Sequence, residues 1–226
     1  MTVKVAAIFA HPDDETLGAG GALALHGQAG AEVRILILAS GLGARGGVAP
    51  TDIATLRGQA EAACATLGAG AIAFHDFPDN AMDTVALLDV VRAVEGFLDT
   101  FPADVVYTHH GGDLNVDHRI TRDAVVTACR PLPDSRAIEI QGCEVNSSTE
   151  WAVAPAAPFA PTDFLDIAAV LDIKVAALEC YQGELRDWPH PRSAEGVRAL
   201  ARWRGAQVGR EAAEAFELVR RVRHAL

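Results

Sequence analysis

The sequence predicts an α/β fold in which a mostly parallel sheet is flanked by helices. Short apolar segments of strand length alternate along the chain with longer segments of helical length. The apolar residues of the first such segment, residues 3–9, are nearly continuous, which is typical of a parallel strand buried on both faces. Because parallel strands need crossover connections, this alternation predicts a Rossmann-like sheet with right-handed crossovers and strand order 3-2-1-4-5.

The first half of the chain contains three predicted strands and two predicted helices. A polar turn after residue 9 leads into an Ala-, Leu- and Gly-rich helix at residues 16–28. The EVRILILA segment predicts a second strand at 32–39, and Gly68 closes a helix predicted at 51–67. A short third strand follows at 71–74.

The second half continues the alternation and then ends in predicted helices. Apolar residues at helical spacing predict a helix at 83–100, before a fourth strand at 104–108. The remaining predictions are a helix at 117–129, strands at 138–145 and 164–167, and helices at 171–181 and 194–225. Breaks in the last helix are predicted near Gly205 and Gly209.

Length and composition indicate one globular domain spanning residues 1–226, with a C-terminal helical or lid segment from about residue 181. Half of the residues are apolar and 22% are charged, so a sizeable core can be buried. The net charge of -11 repels phosphate backbones, which argues against nucleic acid as a partner.

The cysteines and the N-terminus predict a cytoplasmic protein. Four cysteines lie far apart in sequence, which is typical of single buried thiols in a reducing compartment. The N-terminus lacks the apolar region and cleavage site of a signal peptide. No apolar run reaches roughly 18 residues, so no membrane span is expected.

Two polar clusters follow the first and fourth predicted strands, and both contain histidine and carboxylate side chains. They are AHPDDE at residues 10–15 and THHGGDLNVDHR at 108–119. In the predicted strand order these strands are neighbours, and the crevice at their carboxyl ends is the usual binding site of such sheets. Imidazole and carboxylate together suit Zn²⁺, so we expect a metal-dependent active site there.

Spacing within the first cluster favours a metal site over a helix cap alone. His11 and Asp14 are three residues apart, which can direct both at one point, and a histidine of the second cluster would complete the set. A further carboxylate could accept a proton from water. Acidic residues at a helix start are also favoured by capping and the helix dipole. That alternative does not explain His11, Pro12 or the second cluster.

These two motifs resemble those of the PIG-L/LmbE-like zinc N-deacetylases. The resemblance covers nearly the whole chain as a single LmbE-like domain. It extends to Arg57 and Glu61, FPDN at 77–80, STEW at 148–151, PHPRS at 189–193, and Arg204-Gly205. It implies a deacetylase with Zn²⁺, or another divalent metal such as Fe²⁺, and leaves a homo-oligomer open.

The resemblance implies roles for individual residues. His11 and Asp14 match the first two zinc ligands, His118 matches the third, and Asp13 matches the general base. One position departs from the pattern, because some members have a histidine where this chain has Asn115. An amide cannot titrate, so the source of the second catalytic proton is open.

Three histidines are candidates for that missing general acid: His109, His110 and His190. We choose His190, because prolines flank it on both sides and its segment resembles the active-site edge of the family. As a lid, residues 188–193 would bring His190 and Arg192 to the substrate; the alternative is a linker capped by Ser193.

Five side chains are assigned to substrate binding: Arg57, Asp79, Asp113, Asn115 and Arg192. Arg57 could bind a sugar hydroxyl or a phosphate, or simply lie on a solvated helix face. Asp79 could accept a hydrogen bond from a sugar hydroxyl, although turn formation by Pro-Asp-Asn explains it almost as well.

The sequence thus predicts a hydrolase that removes an N-acetyl group from an amino sugar or its conjugate. A free sugar, a sugar nucleotide and a glycosylated intermediate all fit as the small-molecule partner. One alternative is an Fe(II) oxygenase, since His11, Asp13 and His118 form an HxD…H pattern. That triad normally sits on an all-β fold, which this chain does not predict.

A second alternative is a non-enzymatic nucleotide-binding module built on Gly41–Gly46, which matches GxGxxG after a strand. The match is weak, because residues 47–50 separate it from the next predicted helix and the fingerprint should open a helix at once. A glycine loop that places Arg45 near a substrate anion fits this segment better.

Overall fold

A computed structural model describes residues 2–43, 49–133, 138–153 and 157–222. Within these residues the strands are β1 (Lys4–Phe9), β2 (Glu32–Ala39), β3 (Ala71–Phe77), β4 (Val105–His109), β5 (Glu139–Cys143), β6 (Asp163–Asp166) and β7 (Ala213–Arg220). The helices are α1 (Asp14–Gln28), α2 (Pro50–Thr66), α3 (Leu87–Thr100), α4 (Val116–Ala128), α5 (Leu171–Glu179) and α6 (Ala194–Gln207). None of the helices in the described ranges is both long enough and apolar enough to cross a bilayer.

The strands form one mixed sheet in the order β3-β2-β1-β4-β5-β7-β6. Strands β1 to β5 pair in parallel, whereas β7 runs antiparallel to both β5 and β6. The predicted α/β class and the order 3-2-1-4-5 are therefore confirmed. Strands β1 and β4 are neighbours, and the connection reverses direction between them.

Both faces of the parallel strands are buried, which explains their nearly continuous apolar sequence. Successive side chains of a strand point to opposite faces of the sheet. In β1, Ala7 and Phe9 pack into the core that includes buried residues of α1 and α2. Ala6 and Ile8 pack into the opposite core, with buried residues of α3 and α4.

The predicted helix at 194–225 is wrong beyond residue 207, where the chain turns and returns as β7. Gly209, with φ of 69°, lies in the turn after α6. The segment AEAFELVR has a composition that favours a helix locally. Pairing on both edges of β7 buries Ala215 and Phe216, and this tertiary context outweighs the local preference.

A buried ion pair fastens β7 and α5 to the first helix. Lys174 Nζ lies 2.7 Å from Glu214 Oε1, and both residues are only 5% exposed. Lys174 also donates to the carbonyl of Leu17, while Glu214 accepts the N–H groups of Gly21 and Ala22. Helix α1, which begins within the AHPDDE motif, is therefore anchored at Leu17, Gly21 and Ala22.

Candidate active site and metal centre

The structure brings the three predicted metal ligands together at the carboxyl ends of β1 and β4. His11 follows β1, Asp14 begins α1, and His118 lies in the first turn of α4. Asp14 Oδ2 lies 3.2 Å from His11 Nδ1 and 3.1 Å from His118 Nε2. All three side chains are buried, so their donor atoms converge on one interior point.

Unpartnered atoms at this point fit a divalent cation. Asp14 Oδ1 is buried and makes no hydrogen bond within the described structure, and His118 Nε2 makes none of good geometry although Asp14 Oδ2 lies 3.1 Å away. Buried polar atoms usually have partners, and each exception calls for an explanation. One carboxylate and two imidazoles form a donor set that suits Zn²⁺ or Fe²⁺, so a metal ion would satisfy both atoms.

The far nitrogens of the two histidines face carboxylates, which orients the near nitrogens towards the candidate metal position. His118 Nδ1 lies 3.1 Å from Asp113 Oδ1, and His11 Nε2 lies 3.0 Å from Asp117 Oδ2. A carboxylate there holds the proton on the far nitrogen and leaves a lone pair on the near one. Burial alone would lower the pKa of His118, but the neighbouring Asp14 and Asp113 carboxylates raise it above its ordinary value.

Asp13 lies beside the metal position in an unusual backbone conformation. Its φ is 95°, a left-handed value that is rare for a residue with a side chain. Its Oδ2 accepts a hydrogen bond of 2.9 Å from Arg192 Nη1. Burial raises the pKa of the Asp13 carboxyl to about 8, although Arg192 acts in the opposite direction. This carboxylate is therefore well placed to accept a proton.

A cleft of about 140 Å³ opens beside His11 and Asp13. The structure brings three of the predicted substrate-binding residues to its wall: Asp79, Asn115 and Arg192. Two further polar residues line the wall without having been assigned a role from the sequence, Asn80 of the FPDN segment and Glu184. Asn80 follows Asp79 directly and could have been suspected, whereas no sequence pattern marks Glu184.

Two other predicted substrate-binding residues have different contacts. Asp113 is 2% exposed and accepts hydrogen bonds from Ser148, Thr149 and the Asn115 N–H, besides facing His118.

Arg57 binds Asp76 at 2.5 Å and lies over the ring of Phe74, so its contacts fit the solvated-face alternative. The expected position of Arg45 lies outside the described residues.

His109 and His110 are both tied into the fold. His109 Nε2 accepts the Ala10 N–H at 2.9 Å, and its ring stacks on His118 at 3.8 Å. Burial lowers the pKa of His109 well below its ordinary value. His110 contacts Glu217 through Nδ1 at 2.6 Å and the Ala157 carbonyl through Nε2 at 2.8 Å. Neither is among the described residues that line the cleft.

His190 lies at the edge of the site. Its Nδ1 accepts the backbone N–H of Arg192 at 3.1 Å, and its ring meets that of Trp151 edge to face. It packs against Trp151 rather than lining the described wall of the cleft. Its catalytic role stays a prediction.

Comparison with known proteins places these features in a family. The family model described as PIG-L, GlcNAc-PI de-N-acetylase, matches residues 6–129. An uncharacterized deacetylase of Escherichia coli strain K12, YaiS, is 30% identical over 134 residues, which cover 57% of this chain and 69% of that protein.

A hydratase and a sugar deacetylase are also similar. The 4-oxalmesaconate hydratase of Pseudomonas putida strain KT2440 is 27% identical over 200 residues, covering 81% of this chain and 74% of the hydratase. The structure of N,N'-diacetylchitobiose deacetylase from Pyrococcus horikoshii superposes with a TM-score of 0.78 at 19% identity. The superposition covers 96% of this chain and 83% of the deacetylase chain. The last similarity shows a shared fold.

Proposed function

The chain belongs to the PIG-L family of de-N-acetylases, and we propose that it uses a divalent metal, Zn²⁺ first among them, to hydrolyse the N-acetyl group of an amino sugar or amino-sugar conjugate. The observation that carries this proposal is the convergence of His11, Asp14 and His118 beside the Asp13 carboxylate. A catalytic metal site needs three protein ligands and an open position, and the adjacent cleft supplies the access.

The chain's residues divide the chemistry of amide hydrolysis between them. A divalent metal held by His11, Asp14 and His118 would polarise the acetyl carbonyl and, for Zn²⁺, lower the pKa of water to about 7. Asp13 takes the proton of the attacking water, and burial makes this carboxylate a stronger base than an exposed one. Arg192 orients it through their 2.9 Å contact and lowers its pKa, which favours the ionised form.

The leaving amine must be protonated, and the contacts favour Asp13 over His190 for this step. After accepting the proton of water, Asp13 holds it in a buried position where its raised pKa favours the neutral form. His190 Nδ1 accepts a backbone N–H, and burial together with Arg192 lowers the pKa of His190. Both effects disfavour the imidazolium that a general acid would need.

The charge of the cleft favours a neutral, hydroxyl-rich substrate. Among the described wall residues, Asp13, Asp79 and Glu184 are carboxylates and Arg192 is a single cation that already contacts Asp13. The carboxyl groups offer hydrogen-bond acceptors to sugar hydroxyls, and because the guanidinium is already engaged, the described side chains offer little to a phosphate group. We therefore place a free amino sugar or a neutral glycoside ahead of a sugar nucleotide.

Water addition to a carbon–carbon double bond is the second candidate, and it rests on the similarity to 4-oxalmesaconate hydratase over 81% of this chain. A substrate of that kind is an anion, and its carboxylates need cationic partners. Apart from the proposed metal, the described side chains of the cleft wall offer such a substrate the Arg192 guanidinium, which already contacts Asp13, so we rank hydration second.

An amine-release screen tests the proposal. Zinc-loaded enzyme is assayed with N-acetylglucosamine, a neutral N-acetylglucosaminide and UDP-N-acetylglucosamine, and acetate is measured in parallel. We expect turnover of the neutral substrates and its loss in Asp13→Asn, because an amide cannot accept the proton of water. Addition of water to 4-oxalmesaconate without acetate release from any amide would reject deacetylation in favour of hydration.

A further inference from the structure

Among the described residues, three non-glycine residues have positive φ, and all three lie at the candidate site: Asp13 (95°), Asn80 (51°) and Ser147 (65°). Residues with a Cβ rarely adopt this conformation, and such residues cluster at functional sites. Asp13 and Asn80 line the cleft, and the hydroxyl of Ser147 accepts a hydrogen bond from Arg192. Other contacts must therefore stabilise these three unfavourable backbone conformations.

A carboxylate holds the backbone N–H at each of these positions. Asp13 donates to Glu15 at 3.1 Å, Asn80 to Asp117 at 2.6 Å, and Ser147 to Glu150 at 2.6 Å. The first two acceptors are fully buried. The same arrangement at all three positions indicates a common way of holding strained backbone, and it is most complete at Asp13.

The Glu15 carboxylate is itself fixed by two hydroxyl groups. Its Oε1 accepts hydrogen bonds from Tyr181 at 2.6 Å and from Thr16 at 2.7 Å, which leaves Oε2 for the Asp13 N–H. Tyr181 is fully buried and follows α5, 166 residues away in sequence. An acidic residue that only complements the helix dipole would need neither burial nor a tyrosine partner.

We propose that Glu15 and Tyr181 are positioning residues, which hold the left-handed backbone of Asp13 and thereby direct its carboxylate into the cleft. The inference rests on the proposed function, in which Asp13 is the base. A relaxed, negative φ would swing the Asp13 Cβ and carboxylate away from Arg192. Asp13 is thus held at two ends, through its N–H by Glu15 and through its carboxylate by Arg192.

The test compares Tyr181→Phe with a matched control, Tyr107→Phe. Both phenols are buried, and the Tyr107 hydroxyl bonds to His26 Nε2 at 3.0 Å, remote from the cleft. Hydrogen exchange of the Asp13 amide should accelerate roughly 3- to 10-fold in Tyr181→Phe, the size expected for one weakened hydrogen bond. It should stay unchanged in Tyr107→Phe. Thr16→Val is the milder variant if Tyr181→Phe does not fold.

Kinetics separate positioning from a general loss of stability. In Tyr181→Phe we expect kcat to fall by a similar factor, with KM and bound metal unchanged. In an Asp13→Asn background the same substitution should have no further effect on the residual single-turnover rate, because the two act through one carboxylate.

Two results would overturn the inference: an unchanged Asp13 amide, or equal rate losses in both backgrounds. If the wild type releases no acetate, the proposed function fails, while the exchange measurement still decides whether Glu15 and Tyr181 hold Asp13.

Discussion

Replacing Asp113 with asparagine should weaken metal binding without touching a ligand. Asp113 is 2% exposed and faces His118 Nδ1 at 3.1 Å. Burial alone would raise the pKa of Asp113, but hydrogen bonds from His118, Ser148 and Thr149 hold it below its usual range. The side chain is therefore a carboxylate at neutral pH and makes His118 a more basic ligand.

Asp113→Asn preserves size and most hydrogen bonds but removes the charge. The asparagine carbonyl can still accept from His118, and its amide group can donate to the Thr149 hydroxyl, which now donates to Oδ2 at 2.6 Å. Substituting such an outer partner of a ligand typically costs 10- to 100-fold in metal affinity. That factor corresponds to about 1.4–2.8 kcal/mol of binding free energy.

Competition with a chromophoric zinc chelator measures the dissociation constant directly. Asp123→Asn is the control, because Asp123 lies on the same helix as His118, is exposed, and pairs with Arg122. His118→Ala sets the lower limit and should lose most of the metal. Wild-type affinity in Asp113→Asn, or full metal occupancy in His118→Ala, would refute the ligand assignment.

Three further substitutions test the proton chemistry and the framework. Because Arg192 lowers the pKa of Asp13, Arg192→Gln should move the acidic limb of the kcat–pH profile to higher pH by about 1–3 units. An acidic limb that does not move would show that Arg192 does not set the pKa of the catalytic base. His190→Gln should reduce kcat by much less than about 100-fold and keep the alkaline limb; a larger loss with that limb gone would restore His190 as the acid. Lys174→Met leaves Glu214 buried without its cation, so the free energy of unfolding measured by urea denaturation should fall by about 3–5 kcal/mol. A negligible change would show that the ion pair does not stabilise the fold.

The sequence predicts the fold well where local pattern and tertiary burial agree. The bounds of β2 match the predicted strand at 32–39 because its apolar residues are buried on both faces and charged or small residues flank them. Strand β7 could not be predicted in the same way. Its alanine and glutamate residues favour a helix, and its pairing partners, β5 and β6, come from an earlier part of the chain.

The candidate site was also predictable only in part, because its short motif is visible in the sequence and its long-range contacts are not. His11, Asp13 and Asp14 lie within one turn, so a short motif contains them. The contact between Arg192 and Asp13 joins residues 179 apart in sequence, and only the packing of the 188–193 segment onto the first helix reveals it. The sequence alone points to substrate binding for Arg192, because the partner of a cation beside a crevice is not visible until the chain is folded.

The proposed metal ligands alone do not select the reaction, since the proteins similar to this chain include a hydratase as well as a deacetylase. The charged contacts around the candidate metal position distinguish better between hydration and deacetylation. In this chain the Arg192 guanidinium bonds to both Asp13 and Ser147, which aligns the proposed base and leaves the cation poorly placed to attract an anionic substrate. In the proposed reaction the substrate is a neutral amide, and the charge that develops is the oxyanion beside the proposed metal position.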